Sequence, residues 1–261
     1  MATIAITGGS GRIATWVRPL LLEAGHDLRL LDVVTPPDDL RAHETFEHVG
    51  VTDLESLTVA LGGADLVVHL ASHASERTWH QIRDLNVESA YVVHEAARRA
   101  GVTRLLAASS VHAVGFEPGS SAADHDVPAP RPDSFYGVSK VLLEAVGSLY
   151  ADRFGSTVVS ARIMTAEVEP HDVRSLGTWL SPADATRLIL ATLSTAPSGH
   201  HVVWGVSRNT RRVVSLAAGE AIGYHPEDDA EAFADRFAGQ VQPPDAPVGG
   251  TFTTMPLGEA W

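Results

Sequence analysis

A short strand pattern that runs into a glycine-rich turn constrains the fold of this chain more than any other feature. The apolar run TIAIT (3–7) leads into TGGSGRIA (7–14), and a helical pattern follows at about 12–24. Glycines between a strand and a helix let the chain turn tightly and let backbone N–H groups approach a phosphate. The pattern therefore predicts the strand–turn–helix unit of a dinucleotide-binding fold, with binding residues at Gly8, Gly11, Arg12 and Ile13.

The alternation of strand and helix patterns continues to about residue 165. The predicted elements are strands at 28–32, 46–50, 65–71, 103–110 and 157–163, with helices between them at about 53–61, 79–100 and 134–154. The strand runs are rich in Val, Ile and Leu without strict alternation, which is typical of parallel strands covered on both faces. We therefore predict a doubly wound α/β (Rossmann) parallel sheet as a core over residues 1–165.

The pattern of residues 166–261 is looser. Ser181 followed by Pro182 is typical of a helix start, and a helix to about residue 195 should precede a strand at 200–206. The run PEDDAEAFADRF (226–237) predicts an acidic helix, and Pro- and Gly-rich connections follow it. We expect this part to form a small C-terminal lid that completes a substrate pocket within the same compact domain.

Composition limits the partners and the location of the protein. The chain has 261 residues, a net charge of −13 and no cysteine. The acidic balance argues against nucleic acid and anionic membranes as main partners, and the lack of cysteine excludes disulfides and thiolate sites. No signal peptide is recognisable, and no apolar run approaches the roughly 18 residues of a membrane span. A cytoplasmic location is therefore expected.

The acidic residue at the end of the second predicted strand indicates which dinucleotide binds. Asp32 is placed to accept hydrogen bonds from an adenosine ribose, and its charge repels a 2′-phosphate, which favours NAD over NADP. Arg12 favours NADP instead, because an arginine in this loop could bind the 2′-phosphate. Asp53 either contacts the adenine or caps the helix that begins beside it, and both interpretations remain open.

Three side chains together predict proton and hydride transfer. Tyr136 and Lys140 occupy positions i and i+4 of a predicted helix, so they share one face, and the ammonium should favour the phenolate by lowering the pKa of the tyrosine. Ser110 ends the fifth predicted strand at the carboxyl edge, where open α/β sheets bind ligands. Each could have a structural role alone, as a surface pair or a strand-end hydroxyl, but the three positions combined are specific.

With these motifs in family order, the chain resembles an extended short-chain dehydrogenase/reductase of the NAD-dependent epimerase/dehydratase group. The resemblance implies NAD contacts from the segment HLAS (69–72) through Leu70, Ala71 and Ser72, and from Tyr136 and Lys140. It also implies that Asn86 lies at the cofactor site and supports the active-site helices. Members of the family often dimerise, so the resemblance implies a homodimer or a higher homo-oligomer.

Within that family, the stretches SSVHAVGFEP, RPDSFYGVSK and VRSLGTWLSPAD resemble uronate dehydrogenases, which oxidise the anomeric carbon of a uronate to an aldarolactone with NAD. This resemblance implies that Ser110, Tyr136 and Lys140 are catalytic. It also implies that His112, Thr165 and Arg174 line the sugar site, with Arg174 binding the carboxylate of a sugar acid. The alternative for Arg174 is a surface arginine on a loop.

Three departures from the uronate dehydrogenase pattern weaken the substrate assignment. Val111 replaces an asparagine, Ala74 replaces a serine although Ser75 is adjacent, and Met164–Thr165 replaces Gly–Ser. By position, the resemblance still implies that Ser75 and Val111 line the substrate site. Lost hydrogen-bond partners discriminate strongly against a hydroxylated substrate. The alternatives are a nucleotide-sugar epimerase or dehydratase, a reductase of an unidentified alcohol or aldehyde, and a non-enzymatic dinucleotide sensor. No metal site is expected.

Overall fold

A seven-stranded parallel sheet forms the centre of the protein in a computed structural model, which describes residues 1–260 without the side chains of residues 123 and 124. The strands are β1 (Thr3–Thr7), β2 (Asp27–Asp32), β3 (Glu44–His48), β4 (Leu66–His69), β5 (Arg104–Ser110), β6 (Thr157–Ile163), β7 (Thr165–Ala166), β8 (Trp179–Leu180) and β9 (Gly199–Gly205). The sheet runs in the order β3-β2-β1-β4-β5-β6-β9, and every neighbouring pair is parallel. The predicted doubly wound α/β fold is therefore confirmed.

The helices begin at residues that suit helix starts. They are α1 (Arg12–Glu23), α2 (Leu54–Ala60), α3 (Trp79–Gln81), α4 (Glu88–Arg99), α5 (Gly119–Asp124), α6 (Phe135–Phe154), α7 (Ser175–Thr178), α8 (Pro182–Ser194) and α9 (Ala217–Ala221). Asp53, Ser134 and Ser181 cap α2, α6 and α8, because each side chain accepts a backbone N–H of the first turn. Within residues 1–260, no helix combines the length and the apolar character needed to cross a membrane.

Alternate residues of the strands are buried on opposite faces of the sheet. Ile4 and Ile6 of β1 pack in one apolar cluster with α1 and α8, while Ala5 packs in another with α2, α4 and α6. The same division holds for β4, where Leu66 and Val68 join the first cluster and Val67 the second. Both faces of a parallel sheet are thus covered by helices, which is why its strands are apolar throughout.

The C-terminal third shares the core of the sheet. Leu180, Ile189 and Tyr224 belong to the same buried cluster as the residues of β1 and β4 that face α1. The predicted boundary between residues 165 and 166 falls inside the short strand β7, which pairs with β8. The division into a core and a lid at this point remains a prediction.

Two predicted helices differ in the structure. The acidic helix predicted at 226–237 is wrong, because only Ala230–Phe237 is helical and it is a 3₁₀ helix. The N–H groups of Glu227 and Asp228 donate to the carboxylate of Asp184 at 2.8 and 3.0 Å, so these residues are held in a loop. The helix predicted at 79–100 is interrupted by a π-helical segment, Ile82–Val87, of the kind often found at functional sites.

Candidate active site

A cavity of about 380 Å³ opens at the carboxyl edge of the sheet, where β1 and β4 are neighbours and the strand order reverses. Open α/β sheets bind ligands at such a switch point. We call it the switch-point cavity. It brings together most of the predicted cofactor residues, which are Gly8, Gly11, Arg12, Ile13, Asp32, Leu70, Ala71 and Ser72.

The glycine loop fits a phosphate because side chains are excluded from it. Gly8 has φ +72°, and a Cβ placed there would lie 2.7 Å from the backbone nitrogen of Ala71. A Cβ on Gly9 would lie 2.8 Å from the Cβ of Leu30. Ala14 is completely buried against the sheet, so its methyl group points into the core. The loop therefore presents bare backbone beside the N-terminus of α1, as pyrophosphate binding requires.

Asp32 ties this loop to the end of β2. Its two carboxylate oxygens accept the N–H groups of Ser10 at 3.0 Å and Val34 at 3.1 Å. Each oxygen keeps a free lone pair, so the carboxylate can still accept a ribose hydroxyl. Arg12 is exposed on the wall of the same cavity, with its guanidinium 5.9 Å from the ring centre of Trp16.

Four predicted cofactor residues lie outside the lining of this cavity, namely Asp53, Asn86, Tyr136 and Lys140. Asp53 caps α2 by accepting the N–H of Ser56 at 3.1 Å and its hydroxyl at 2.7 Å, and these bonds lower the pKa of its carboxyl group. The capping interpretation is thus the one that the structure shows. The wall beside it is formed instead by residues 49–52, which sequence reasoning missed.

Asn86 is the second of these residues, and its buried amide holds protein groups together. The oxygen accepts the N–H of His73 at 2.8 Å, and the nitrogen donates to the carbonyl of His73 at 3.0 Å and to Ser139 Oγ at 3.3 Å. Asn86 therefore fixes the loop after β4 against α6, in agreement with the supporting role that the resemblance implies.

Ser110, Tyr136 and Lys140 are all buried and lie together beside the switch-point cavity. Lys140 Nζ donates to the carbonyl of Ala108 at 2.8 Å and to Ser72 Oγ at 3.3 Å, and it lies 5.2 Å from the ring centre of Tyr136. Because Ser72 lines the cavity, the ammonium connects the tyrosine with the predicted cofactor site. Lys140 is also the only lysine among the 19 lysine and arginine residues of the chain.

Burial disfavours the charged forms of Tyr136 and Lys140 and shifts the pKa of each side chain accordingly. It raises the pKa of Tyr136 to about 12, although the hydrogen bond with Ser110 lowers it. It lowers the pKa of Lys140 to about 8. The prediction that the tyrosine would have a lowered pKa is wrong in net direction, because burial, together with the charge of Asp133, raises the pKa more than Ser110 lowers it. A neutral phenol and a charged ammonium therefore face each other near pH 7.

Glu76 positions the tyrosine, although no motif in the sequence identifies it. Its completely buried carboxylate accepts the N–H groups of Phe135 at 3.2 Å and Tyr136 at 2.9 Å, at the positive end of α6. It also accepts the N–H of Gly258 at 2.9 Å. One side chain in the loop after β4 thus connects the helix that carries Tyr136 with the C-terminal segment.

The two serines at the end of β5 have different surroundings. Ser109 Oγ donates to Glu144 at 2.6 Å, and Glu144 also accepts two hydrogen bonds from Arg162, at 2.9 and 2.8 Å. This buried network joins β5, β6 and α6. Ser110 is on the other side of the strand, where its hydroxyl accepts the N–H of His112 at 3.2 Å and bonds with Tyr136.

His112 is held between Asp133 and the C-terminal segment. Its Nδ1 lies 2.8 Å from Asp133 Oδ2, and Phe252 stacks on its ring with the ring centres 3.8 Å apart. The ring of Tyr136 approaches from the edge at 5.7 Å. Sequence reasoning missed Asp133, which lies in the stretch RPDSFYGVSK, and Phe252, which lies in GGTF (249–252).

Glycines enclose the carboxylate of Asp133. A Cβ on Gly115 or on Gly249 would overlap Asp133 Oδ2. The backbone of these two glycines is joined by a hydrogen bond of 2.9 Å. The chain therefore leaves room for one buried carboxylate behind the histidine.

Arg174 is largely buried, and its guanidinium contacts groups that carry no charge. It donates to the carbonyl of Val248 at 2.6 Å and to Thr165 Oγ1 at 3.3 Å, and the Thr165 hydroxyl also lies 2.8 Å from that of Thr178. Burial lowers the pKa of Arg174, whereas Asp172 and Asp133 raise it. The structure thus brings the predicted residues Thr165 and Arg174 into contact, beside the segment that ends at Phe252.

Val111 and Ser75 are the remaining predicted substrate residues. Val111 is only 1% exposed and packs in an apolar cluster with Trp204 and Val248, and Met164 packs against the same cluster. Ser75 is half-buried in the loop after β4, and the adjacent Ala74 lines the switch-point cavity.

His69, at the end of β4, is buried and bonded to protein. Its Nδ1 lies 2.8 Å from Thr7 Oγ1, and burial, with a smaller effect of Lys140, lowers its pKa to about 3. The histidine is therefore neutral at physiological pH. In the part of the chain that the structure describes, no group of three or more His, Asp or Glu side chains could hold a metal ion.

Comparison with known proteins agrees with this geometry. A model of the NAD dependent epimerase/dehydratase family matches residues 4–175, which include the glycine loop, Ser110, Tyr136 and Lys140. The chain belongs to this family. The family resemblance stated from the sequence motifs is therefore confirmed.

Several members of the family are similar over nearly the whole chain. The uronate dehydrogenase of Agrobacterium fabrum is 34% identical over 263 positions, covering 98% of this chain and 98% of that protein. The L-arabinose 1-dehydrogenase (NAD(P)(+)) of Haloferax volcanii is 36% identical, covering 88% of this chain and 98% of that protein. A crystal structure of a uronate dehydrogenase mutant from Agrobacterium tumefaciens, complexed with NAD, has a TM-score of 0.89 at 32% identity and 98% coverage of both chains.

Proposed function

We propose that this protein is an NAD-dependent dehydrogenase that oxidises C1 of a uronate to the aldarolactone. The family and the uronate dehydrogenase relatives support NAD as cofactor and a sugar acid as substrate. The observation that carries the uronate assignment is the largely buried Arg174. Its two hydrogen-bond partners are a carbonyl and a hydroxyl, so they leave its charge for an anionic substrate.

The switch-point cavity would hold NAD. Gly8 and Gly11 would present backbone to the pyrophosphate, Asp32 would accept from the adenosine ribose, and Ser72 and Lys140, which are joined by a hydrogen bond, would hold the nicotinamide side. The charge of Asp32 favours NAD over NADP. When bound, NAD supplies the hydride acceptor and a positive charge beside the tyrosine.

Tyr136 is the base that takes the proton of the C1 hydroxyl as the C1–H bond breaks and a C1=O bond forms. Ser110 donates to the substrate oxygen, and its hydroxyl acts on the phenol of Tyr136 by lowering its pKa. Lys140 stabilises the phenolate through its charge and also binds the ribose. Since burial raises the pKa of Tyr136 to about 12, the positive charges near it are necessary for this step.

His112 and Arg174 orient the sugar. With Nδ1–H donating to Asp133, the Nε2 of His112 is an acceptor for a sugar hydroxyl. Arg174 and Thr165 bind the carboxylate, because a guanidinium and a hydroxyl side by side can donate to both of its oxygens.

A panel of D-glucuronate, D-galacturonate, D-glucose and L-arabinose with NAD tests the assignment, by following the absorbance of the reduced cofactor. We expect turnover of at least one uronate. Arg174→Ala should lower kcat/KM for that uronate by about 100-fold, the value of a charged bidentate contact, without lowering kcat/KM for a neutral aldose. Arg236→Ala, which removes an exposed arginine paired with Glu169, is the matched control and should change neither value.

Each alternative has its own outcome. Turnover of L-arabinose but of no uronate would favour a neutral aldose as substrate, which the arabinose dehydrogenase relative and the apolar Val111 make the second candidate. NAD binding without turnover of any sugar would favour a dinucleotide sensor. Wild-type turnover by Tyr136→Phe would contradict the proposed base.

A further inference from the structure

A second cavity of about 370 Å³ lies beside Arg174, and we call it the side cavity. Its volume is within the range of about 300–1,000 Å³ typical of small-molecule sites. Arg174 and Met164 border it, whereas Ser110, His112, Tyr136 and Lys140 do not. The side cavity therefore adjoins the proposed carboxylate site and is separate from the reacting carbon.

The wall of the side cavity is mainly apolar. Nine of its 16 lining residues are valine, proline, methionine or alanine, and the polar lining comes from Arg174, Thr178, Arg211, Gln240 and Gln242. Arg211 is already paired with Glu231 at 2.7 Å. The cavity thus suits a group that presents C–H surface and a few hydroxyl or ether oxygens, but no further charge.

One of the departures from the uronate dehydrogenase pattern, Met164, belongs to this wall, and a second, Val111, is buried behind it. Met164, Val213 and Val248 line the side cavity, and all three pack in the apolar cluster that buries Val111. Val111 and Met164 are therefore parts of one apolar cluster. Met164, in place of the glycine of the pattern, adds apolar surface next to Arg174, and Val111 packs in the cluster behind that surface.

The geometry of a pyranose ring indicates which substituent can reach this space. C1 and C4 lie opposite each other in the ring, and C4 is bonded to the carbon that carries the carboxylate. With C1 at Tyr136 and the carboxylate at Arg174, the C4 oxygen is the ring substituent closest to Arg174 and farthest from the tyrosine. A substituent on that oxygen can therefore enter a cavity that borders Arg174 but not Tyr136.

We propose that the side cavity receives a group attached to O4 of the uronate, so that the substrates of this enzyme are 4-O-substituted uronates with an uncharged alkyl or glycosyl substituent. The inference rests on the proposed function, and the reaction at C1 is unchanged. Free uronates contact only His112, Thr165 and Arg174, whereas a 4-O-substituted uronate also buries its substituent against the cluster of Met164, Val213 and Val248.

The test compares D-glucuronate with 4-O-methyl-D-glucuronate and with a glucuronate that carries a xylosyl group on O4. We expect kcat/KM for a substituted uronate to be at least tenfold higher than for D-glucuronate. Val213→Phe fills the side cavity and should lower the ratio of the two kcat/KM values at least tenfold. Val59→Phe, at an 80% exposed position of α2, is the matched control and should leave the ratio unchanged.

The possible results separate this inference from the proposed function. Turnover of D-glucuronate with rejection of both substituted uronates would overturn the inference and leave the function standing. A ratio that neither Val213→Phe nor Ala246→Trp changes would also overturn it, and the second variant serves if the first does not fold. Absence of turnover with every uronate would contradict the proposed function, and the inference with it.

Discussion

The switch-point cavity and the substrate side of the site lie at the same edge of the sheet, but they use the chain differently. The glycine loop of residues 7–14, with Asp32 close behind it, provides much of the first region within one strand–turn–helix–strand unit. Arg174 of the second region instead contacts the carbonyl of Val248, and His112 contacts Asp133 and Phe252. One region is local in sequence, and the other is assembled from distant segments.

This difference determines how each region responds to substitution. The glycine loop depends on backbone shape, so adding a single methyl group is enough to damage it. The substrate side depends on pairs of side chains that hold each other in position, so exchanging one partner weakens the site by a moderate amount. Glu76 belongs to both, since it accepts from the helix that carries Tyr136 and from Gly258 of the C-terminal segment.

The largest effect is expected from Gly8→Ala. The left-handed φ of +72° costs an alanine about 1–2 kcal/mol, and its Cβ would lie 2.7 Å from the Ala71 nitrogen, so the loop must shift. NAD affinity measured by calorimetry should fall by about 300-fold or more. Gly63→Ala, with φ +75° and open space around it, has the same backbone cost without the contact. Equal NAD affinity in the two variants would contradict the steric argument.

The buried cation next to the cofactor region should be costly for stability. Because burial puts the folded-state pKa of Lys140 at about 8, below its usual 10.5, the unfolded chain holds this proton more tightly between these pH values. The parent protein therefore gains stability as pH rises through this window, and Lys140→Met does not. Urea unfolding at pH 7 and pH 10 measures the free energy of unfolding of Lys140→Met relative to that of the parent. This difference should be about 2–3 kcal/mol less favourable to the variant at pH 10 than at pH 7.

The lysine can also be titrated directly. Since Lys140 is the only lysine, lysine labelled with ¹³C at Cε gives one side-chain resonance for the whole protein. Its midpoint should lie near pH 8. A midpoint near 10.5, together with a relative stability that does not change with pH, would show that burial does not disfavour the charge.

On the substrate side, Asp133→Asn should have a moderate effect. An amide keeps the size of the carboxylate but holds the imidazole of His112 less strongly, so we expect kcat/KM for the substrate to fall by about 30-fold, or about 2 kcal/mol. NAD affinity should not change, because Asp133 is outside the switch-point cavity. Asp152→Asn, at an exposed position of α6, the helix that begins two residues after Asp133, is the control. A parallel loss of NAD affinity would show that the two regions are not separate.

The smallest effect is expected from Asp32→Asn, which tests the charge in the cofactor region. The amide oxygen still accepts a hydrogen bond, while the repulsion of a 2′-phosphate is lost. The ratio of kcat/KM for NADP to that for NAD should rise about tenfold, or about 1.4 kcal/mol. Asp39→Asn, in the exposed loop after β2, should leave the ratio unchanged. An unchanged ratio in Asp32→Asn would assign the cofactor preference to another group.

Sequence patterns predicted most of the sheet and of the switch-point cavity. Strand runs, helix caps and the glycine loop depend on residues close together in the chain, and therefore appear as local patterns. The two helices that the sequence patterns predicted wrongly, at 226–237 and 79–100, differ because of contacts between distant residues. The carboxylate of Asp184 holds residues 227 and 228 out of the predicted acidic helix, and the π-helical segment brings Asn86 against His73 and Ser139.

What the sequence determined by itself is the doubly wound sheet, the glycine loop and the set of Ser110, Tyr136 and Lys140, because each follows from residue type at a fixed spacing. Only the tertiary structure decided that Glu76 and Asp133 stand behind the reacting groups and that Val111 and Met164 pack in one apolar cluster beside the side cavity. The sign of the pKa change at Tyr136 was also decided there. Burial depends on every element packed around a group, and no local spacing records it.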